Sequence, residues 1–140
     1  MKDTLKNGMT FTHCYRVPQE KTVPFFFRES DLFQAMQPVF ATAFMVGLME
    51  WACMEALRPH MDEGEISLGT NICVTHSAAT PPGMQVEIEV ELLEVSGPKT
   101  RWSIIARDEK DVIGEGTHER FSIDGNKFAG IVAKKAASTA

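Results

Sequence analysis

A chain of 140 residues and 15.6 kDa is one domain's worth of sequence, long enough to bury a full hydrophobic core. Its 44% hydrophobic and 24% charged residues are ordinary for a globular protein, and a formal net charge of −5 with a pI near 5.3 argues against the basic surface of a nucleic-acid binder. Three cysteines without framework spacing, a start lacking an apolar leader segment, and no apolar run reaching the roughly 20 residues of a membrane span point to a reduced, cytoplasmic protein.

In chain order, "MTFTHCYRV" (9–17) alternates as a first strand. The proline-punctuated, aromatic "PQEKTVPFFFRESDLFQAMQP" reads as a short strand and then a covering flap over about 24–38, with a small helix around Asp31 to Met36. "VFATAFMVGLMEWACMEAL" (39–57) is the main helix. Its apolar side chains surround the axis, so a sheet wrapped around it is the simplest way to bury it. In "SLGTNICVTHSAAT" alternation puts Leu68, Ile72 and Val74 on the inner face and Ser67, Asn71, Thr75 and Ser77 on the other. "MQVEIEVEL" alternates with Met84, Val86, Ile88 and Val90 inward. With "RWSIIARD" and "VIGEGTHERFSI" these predict four strands joined by short turns in an antiparallel meander, "PPG" at 81–83 making the first turn. "DGNKFAGIVAKKA" is a last surface helix and "ASTA" a frayed end. The class is α+β, an antiparallel sheet wrapped around one long buried helix in a single domain over 1–140.

One carboxylate interrupts the helix, Glu50. Thr42, Val46 and Glu50 step by four, placing hydroxyl and carboxylate on neighbouring parts of one face. His76 shares the parity of Ile72 and Val74 and so points to the apolar side, towards the helix. A buried pair, or a Glu50 satisfied by backbone or by Arg120, is the structural alternative. A carboxylate, an imidazole and a hydroxyl converging on one inner surface favour a site. Cys73 and His76 point to opposite faces, so no metal is expected there. His118 and Glu119 in "GTHER" read as strand alternation and surface pairing, and the helix methionines as core filling.

The blocks "VFATAFMVGLMEWAC", "SLGTNICVTHSAATPPG" and "GEGTHER" resemble the fluoroacetyl-CoA thioesterase family of hotdog-fold hydrolases, over nearly the whole chain. The resemblance implies a hotdog fold and a homodimer with two active sites at the subunit interface, acting on an acyl-coenzyme A thioester. It implies Thr42, Glu50 and His76 as a catalytic triad, with the backbone of Gly69 beside the bound acyl thioester and Phe33 in an aromatic lid. Where the fluoroacetyl-selective enzyme has a second lid phenylalanine this chain has Met36, which leaves the acyl group open. The expected activity is hydrolysis of a short-chain acyl-CoA, without metal or redox cofactor. A hotdog enoyl-CoA hydratase or dehydratase is the alternative, less favoured because Glu50 lies mid-helix and the histidine on a strand. A non-catalytic acyl-CoA-binding module would not need the triad.

Overall fold

In the computed structural model, which describes residues 1–138, five strands form one antiparallel sheet. They are β1 (Thr10–Arg16), β2 (Glu65–Val74), β3 (Gln85–Ser96), β4 (Lys99–Arg107) and β5 (Val112–Asp124), in the order β1-β3-β4-β5-β2. The helices are α1 (Asp31–Gln34), α2 (Thr42–Leu57) and α3 (Gly125–Ala137). Position 139 onward, part of the expected frayed end, lies outside the described residues. Among the described residues no helix is long and apolar enough to cross a membrane.

Alternation in β3 and β4 builds the floor of the core. Val86, Ile88, Val90 and Leu92 from β3, with Trp102, Ile104 and Ala106 from β4, are buried against α2. From the helix come Met45, Leu48, Met49, Ala52, Cys53 and Leu57. Each large side chain removed from water here stabilises the fold by roughly 1.5–3 kcal/mol.

Three expectations change. Only β3, β4 and β5 form a meander. β2 pairs with β5 at the far edge, so "PPG" belongs to a crossover back to β3. The short strand expected ahead of the flap is a single bridge, Thr22 to Phe40, between two 3₁₀ turns and α2. The helix is apolar all round, but its own sheet covers one side only. Trp51 and Met54 remain 43% and 47% exposed, with Ala43 and Gly47 open beside them.

The fourth change positions the site. β2 shifts register between Gly69 and Asn71, so Thr70 has no opposite number on β5. Such a bulge reverses the inward–outward alternation beyond it. Gly69 lies opposite buried Arg120, and Ser67 opposite buried Ser122, so both turn towards the helix. Leu68, opposite Phe121, falls on the outer face instead. After the bulge, Ile72 and Val74 face inward as predicted, opposite His118 and Gly116.

Candidate active site

Thr42 opens α2, and its side chain does not cap the helix. The hydroxyl is bonded to His76, with Oγ1 to Nδ1 at 2.7 Å. His76 follows the end of β2, in a stretch held to β5 by Thr75 N–H to the Glu115 carbonyl and Ser77 N–H to the Ile113 carbonyl. Its Nε2 is buried without a hydrogen-bond partner. Burial holds the imidazole pKa below the ordinary histidine value, the Ala78 backbone offsetting part of that. The ring therefore stays neutral to lower pH than a free histidine, which suits a base.

Two turns along α2, Glu50 makes a different contact. Its Oε1 pairs with Nη1 of Arg120 at 3.1 Å, the arginine side chain 4% exposed and the glutamate 38%. Ser67 holds the guanidinium from the other side, Nε donating to its Oγ at 2.9 Å and Nη2 to its carbonyl at 2.8 Å. Nη1 also lies 3.1 Å from Nε2 of His118, whose Nδ1 is 2.7 Å from the Asn71 carbonyl. Gly69 lets the two elements meet: a Cβ there would overlap the Glu50 carboxylate oxygen. A cleft of about 320 Å³ opens at this point, lined by Glu50, Gly69, Thr70, Asn71, Ile72 and His118.

One chain thus brings Thr42 and His76 together and seats Glu50 on Arg120, the structural alternative weighed for it. The Thr42 hydroxyl bonds the imidazole, and Glu50 bonds Arg120. His76 opens on a second cavity, with Ser77, Ala78 and Ala79. His118 corrects a sequence reading. It is 1% exposed and faces the helix, while Glu119 turns out to pair with Lys99 at 3.4 Å. Cys53 is no rival nucleophile, because burial pushes its thiol up to about 12. Among the described residues no group of three His, Cys, Asp or Glu side chains could hold a metal ion.

The segment expected as a lid is a cluster of aromatic rings. Phe33 lies 5.9 Å from Phe26 and 5.6 Å from Phe27, and Phe26 reaches Phe44 of α2 at 5.2 Å. The Ser30 hydroxyl caps α1 by accepting from the Phe33 N–H at 3.2 Å. Met36 is 52% exposed. Sequence reasoning missed Phe26 and Phe44, which the "PFFF" run and the helix pattern alone did not tie together.

An antiparallel sheet packed on one long helix is a fold this chain shares with the thioesterase superfamily. A superfamily member from Thermus thermophilus superposes with a TM-score of 0.85 at 26% identity, over 97% of this chain and 96% of that one. The sequence narrows the class. The family described as fluoroacetyl-CoA-specific thioesterase matches residues 17–126. The fluoroacetyl-CoA thioesterase of Streptantibioticus cattleyicolor is 51% identical over 135 residues, 96% of this chain and 97% of its own. A solved fluoroacetyl-CoA thioesterase, FlK, superposes with a TM-score of 0.93 at 50% identity, over 95% of this chain and 98% of that one. A threonine-to-serine variant of FlK has been solved with acetyl-CoA, at a TM-score of 0.92, 50% identity and coverage of 94% and 98%. The chain belongs to the fluoroacetyl-CoA-specific thioesterase family, and it is a hotdog-fold thioester hydrolase.

Proposed function

We propose that the protein hydrolyses a short-chain acyl-CoA, fluoroacetyl-CoA or a related small thioester, using Thr42, Glu50 and His76, with coenzyme A entering only as part of the substrate. The observation that carries this reading is the hydrogen bond between Thr42 and His76, which leaves a buried ring nitrogen without a partner. With Nδ1–H donating to the Thr42 oxygen, the Nε2 lone pair is free to take a proton.

Glu50 is the nucleophile. Arg120 ties down Oε1, and Oε2 adds to the thioester carbonyl carbon beside the Gly69 backbone. The C–S bond breaks, leaving a mixed anhydride on Glu50 and a thiolate. His76 then takes a proton from water, whose oxygen attacks the anhydride and releases the acid and the Glu50 carboxylate. The imidazolium gives its proton to the thiolate. The sum is one water consumed, with one acid and one thiol formed, and no metal or redox cofactor is called on.

The active form is a homodimer. Trp51, Met54 and the small residues Ala43 and Gly47 leave an apolar helix face uncovered, and β2 is a ten-residue edge strand with Ile66 and Ile72 each 37% exposed. A second copy across β2 covers both and closes the cleft at Glu50 and the cavity at His76. The unpaired Cys14, Cys53 and Cys73 suit the reducing cytoplasm, where we place the enzyme.

The test is thiol release over acetyl-, fluoroacetyl- and longer acyl-CoAs, with Glu50→Gln beside the parent chain and gel filtration of both. The variant is expected to elute as the same dimer and release no thiol above background. Full activity in the Glu50→Gln protein overturns the assignment, and a monomer that turns over normally overturns the dimer.

A further inference from the structure

We propose that His118 is a positioning residue for this hydrolysis: a neutral imidazole that accepts from Arg120 and so fixes the guanidinium on which Glu50 is aimed. The inference rests on the reading of Glu50 as the catalytic carboxylate.

The chemistry of its two neighbours dictates the protonation of the ring. The Asn71 carbonyl can only accept and the Arg120 guanidinium can only donate. With Nδ1 at 2.7 Å from the Asn71 oxygen and Nε2 at 3.1 Å from Nη1, one tautomer satisfies both contacts, Nδ1–H with a bare Nε2. A protonated ring would direct an N–H at a guanidinium. Five influences act on the ring, and together they hold its pKa below the ordinary histidine value. Burial comes first and lowers the pKa; the Asn71 carbonyl raises it; and Arg120 lowers it, against the weaker pull of Glu50 on α2 and Glu119 on the same strand. β4 presents Trp102 opposite the ring and adds no charge.

Arg120 has no freedom left once His118 is in place. Nε and Nη2 are committed to Ser67, and the two hydrogens of Nη1 divide between Glu50 Oε1 and His118 Nε2. Removing the acceptor leaves a buried N–H unsatisfied, and the arginine must turn to satisfy it. That turn moves the Glu50 carboxylate by its Oε1, and with it the line from Oε2 to the carbonyl carbon. The bulge at Thr70 belongs to the same device, since it sits between Gly69, which admits Glu50, and Asn71, which orients His118.

The experiment compares His118→Asn with His118→Gln in the thiol-release assay, with Glu50→Gln run in parallel. Asparagine can keep the donor to Asn71 but places no atom where Nε2 was. Glutamine can set its carbonyl oxygen there and accept from Arg120. His118→Asn is expected to lower kcat about 10- to 100-fold with KM within about threefold, the size of effect a misaligned reacting group produces. His118→Gln is expected to keep kcat within about threefold. Equal kcat in the parent and the Asn variant, with Glu50→Gln inactive, overturns the role of His118 alone. An active Glu50→Gln variant overturns the reading beneath it. Should the Asn variant not fold, ¹⁵N-histidine spectra of the parent protein at neutral pH decide: an Nδ1–H tautomer is expected for His118, and an Nε2–H tautomer or an imidazolium overturns the proposal.

Discussion

Replacing Gly69 by alanine adds one methyl group at the point where β2 meets Glu50. The backbone there has no positive φ, so alanine adopts the conformation freely and the cost is steric alone. The new Cβ would overlap Glu50 Oε1 and sit 3.3 Å from Cε1 of His118 and 3.4 Å from Nη1 of Arg120. The histidine and arginine can absorb their part in tenths of an ångström; the carboxylate must swing away. Its 3.1 Å ion pair then opens and Arg120, 3% exposed, loses its anion. A charge-assisted hydrogen bond contributes about 1.5–3 kcal/mol when well buried, and less here because Glu50 is partly in water. Alanine in a strand returns about 0.5–1 kcal/mol over glycine. The net loss of stability is therefore about 1 kcal/mol, a fall in Tm of roughly 3–5 °C for a domain of this size. The effect on catalysis is far larger, because the displaced group is the carboxylate proposed as nucleophile: kcat is expected to fall about 100-fold. Thermal melts and thiol release on the same preparation separate the two. A Gly69→Ala enzyme with parental kcat would refute both the contact and the role of Glu50, and a large loss of stability matching the loss of activity would refute the steric reasoning.

The acid limb of kcat/KM should lie below the ordinary histidine pKa of about 6.5, because burial lowers that of His76 and the neutral ring is the active form; a limb at or above that value contradicts the assignment. Met36→Phe should change acyl-CoA preference less than about twofold, since about half of the residue is exposed, whereas Phe26→Ala removes three ring contacts and should cost about 2 kcal/mol and broaden the acyl group accepted, read by unfolding and a substrate panel. Asp108 accepts from the backbone N–H groups of Lys110 and Asp111 and from Thr80, whose carbonyl in turn accepts from Phe40 N–H at the entry to α2. Burial alone would raise its pKa, but those three hydrogen bonds outweigh it and leave it depressed. Its contribution is therefore present above about pH 3.9 and is lost as pH falls through the lower folded value. Asp108→Ala should lose about 1 kcal/mol in urea melts at pH 7, and the difference should shrink below that pH; a constant difference would show the carboxylate charge to be irrelevant.

How far the residues alone reach depends on whether a pattern stays periodic. β3 alternates without interruption from Gln85 to Leu92, so its inward set is legible, and the single carboxylate of α2 stands out against an apolar background. His76 was placed correctly because Ile72, Val74 and His76 all lie after the bulge. Ser67 and Gly69 lie before it, and parity counted across Thr70 assigns them to the wrong face. Nothing in "SLGTNICV" marks the extra residue, since the bulge has no glycine at a positive φ to announce it. β5 misleads for a related reason: it turns His118, Arg120 and Ser122 inward and leaves Phe121 37% exposed, so polarity runs opposite to the usual rule. A hydrophobicity pattern cannot reveal that inversion, because His118 and Arg120 are satisfied by one another and by Ser67 and Asn71, contacts that exist only once the strands are in register. The same physics explains the misjudged helix. An apolar circumference shows that every face of α2 is to be covered, but whether the cover comes from its own sheet is a matter of strand order, and with β2 at the edge the sheet leaves the outer face open.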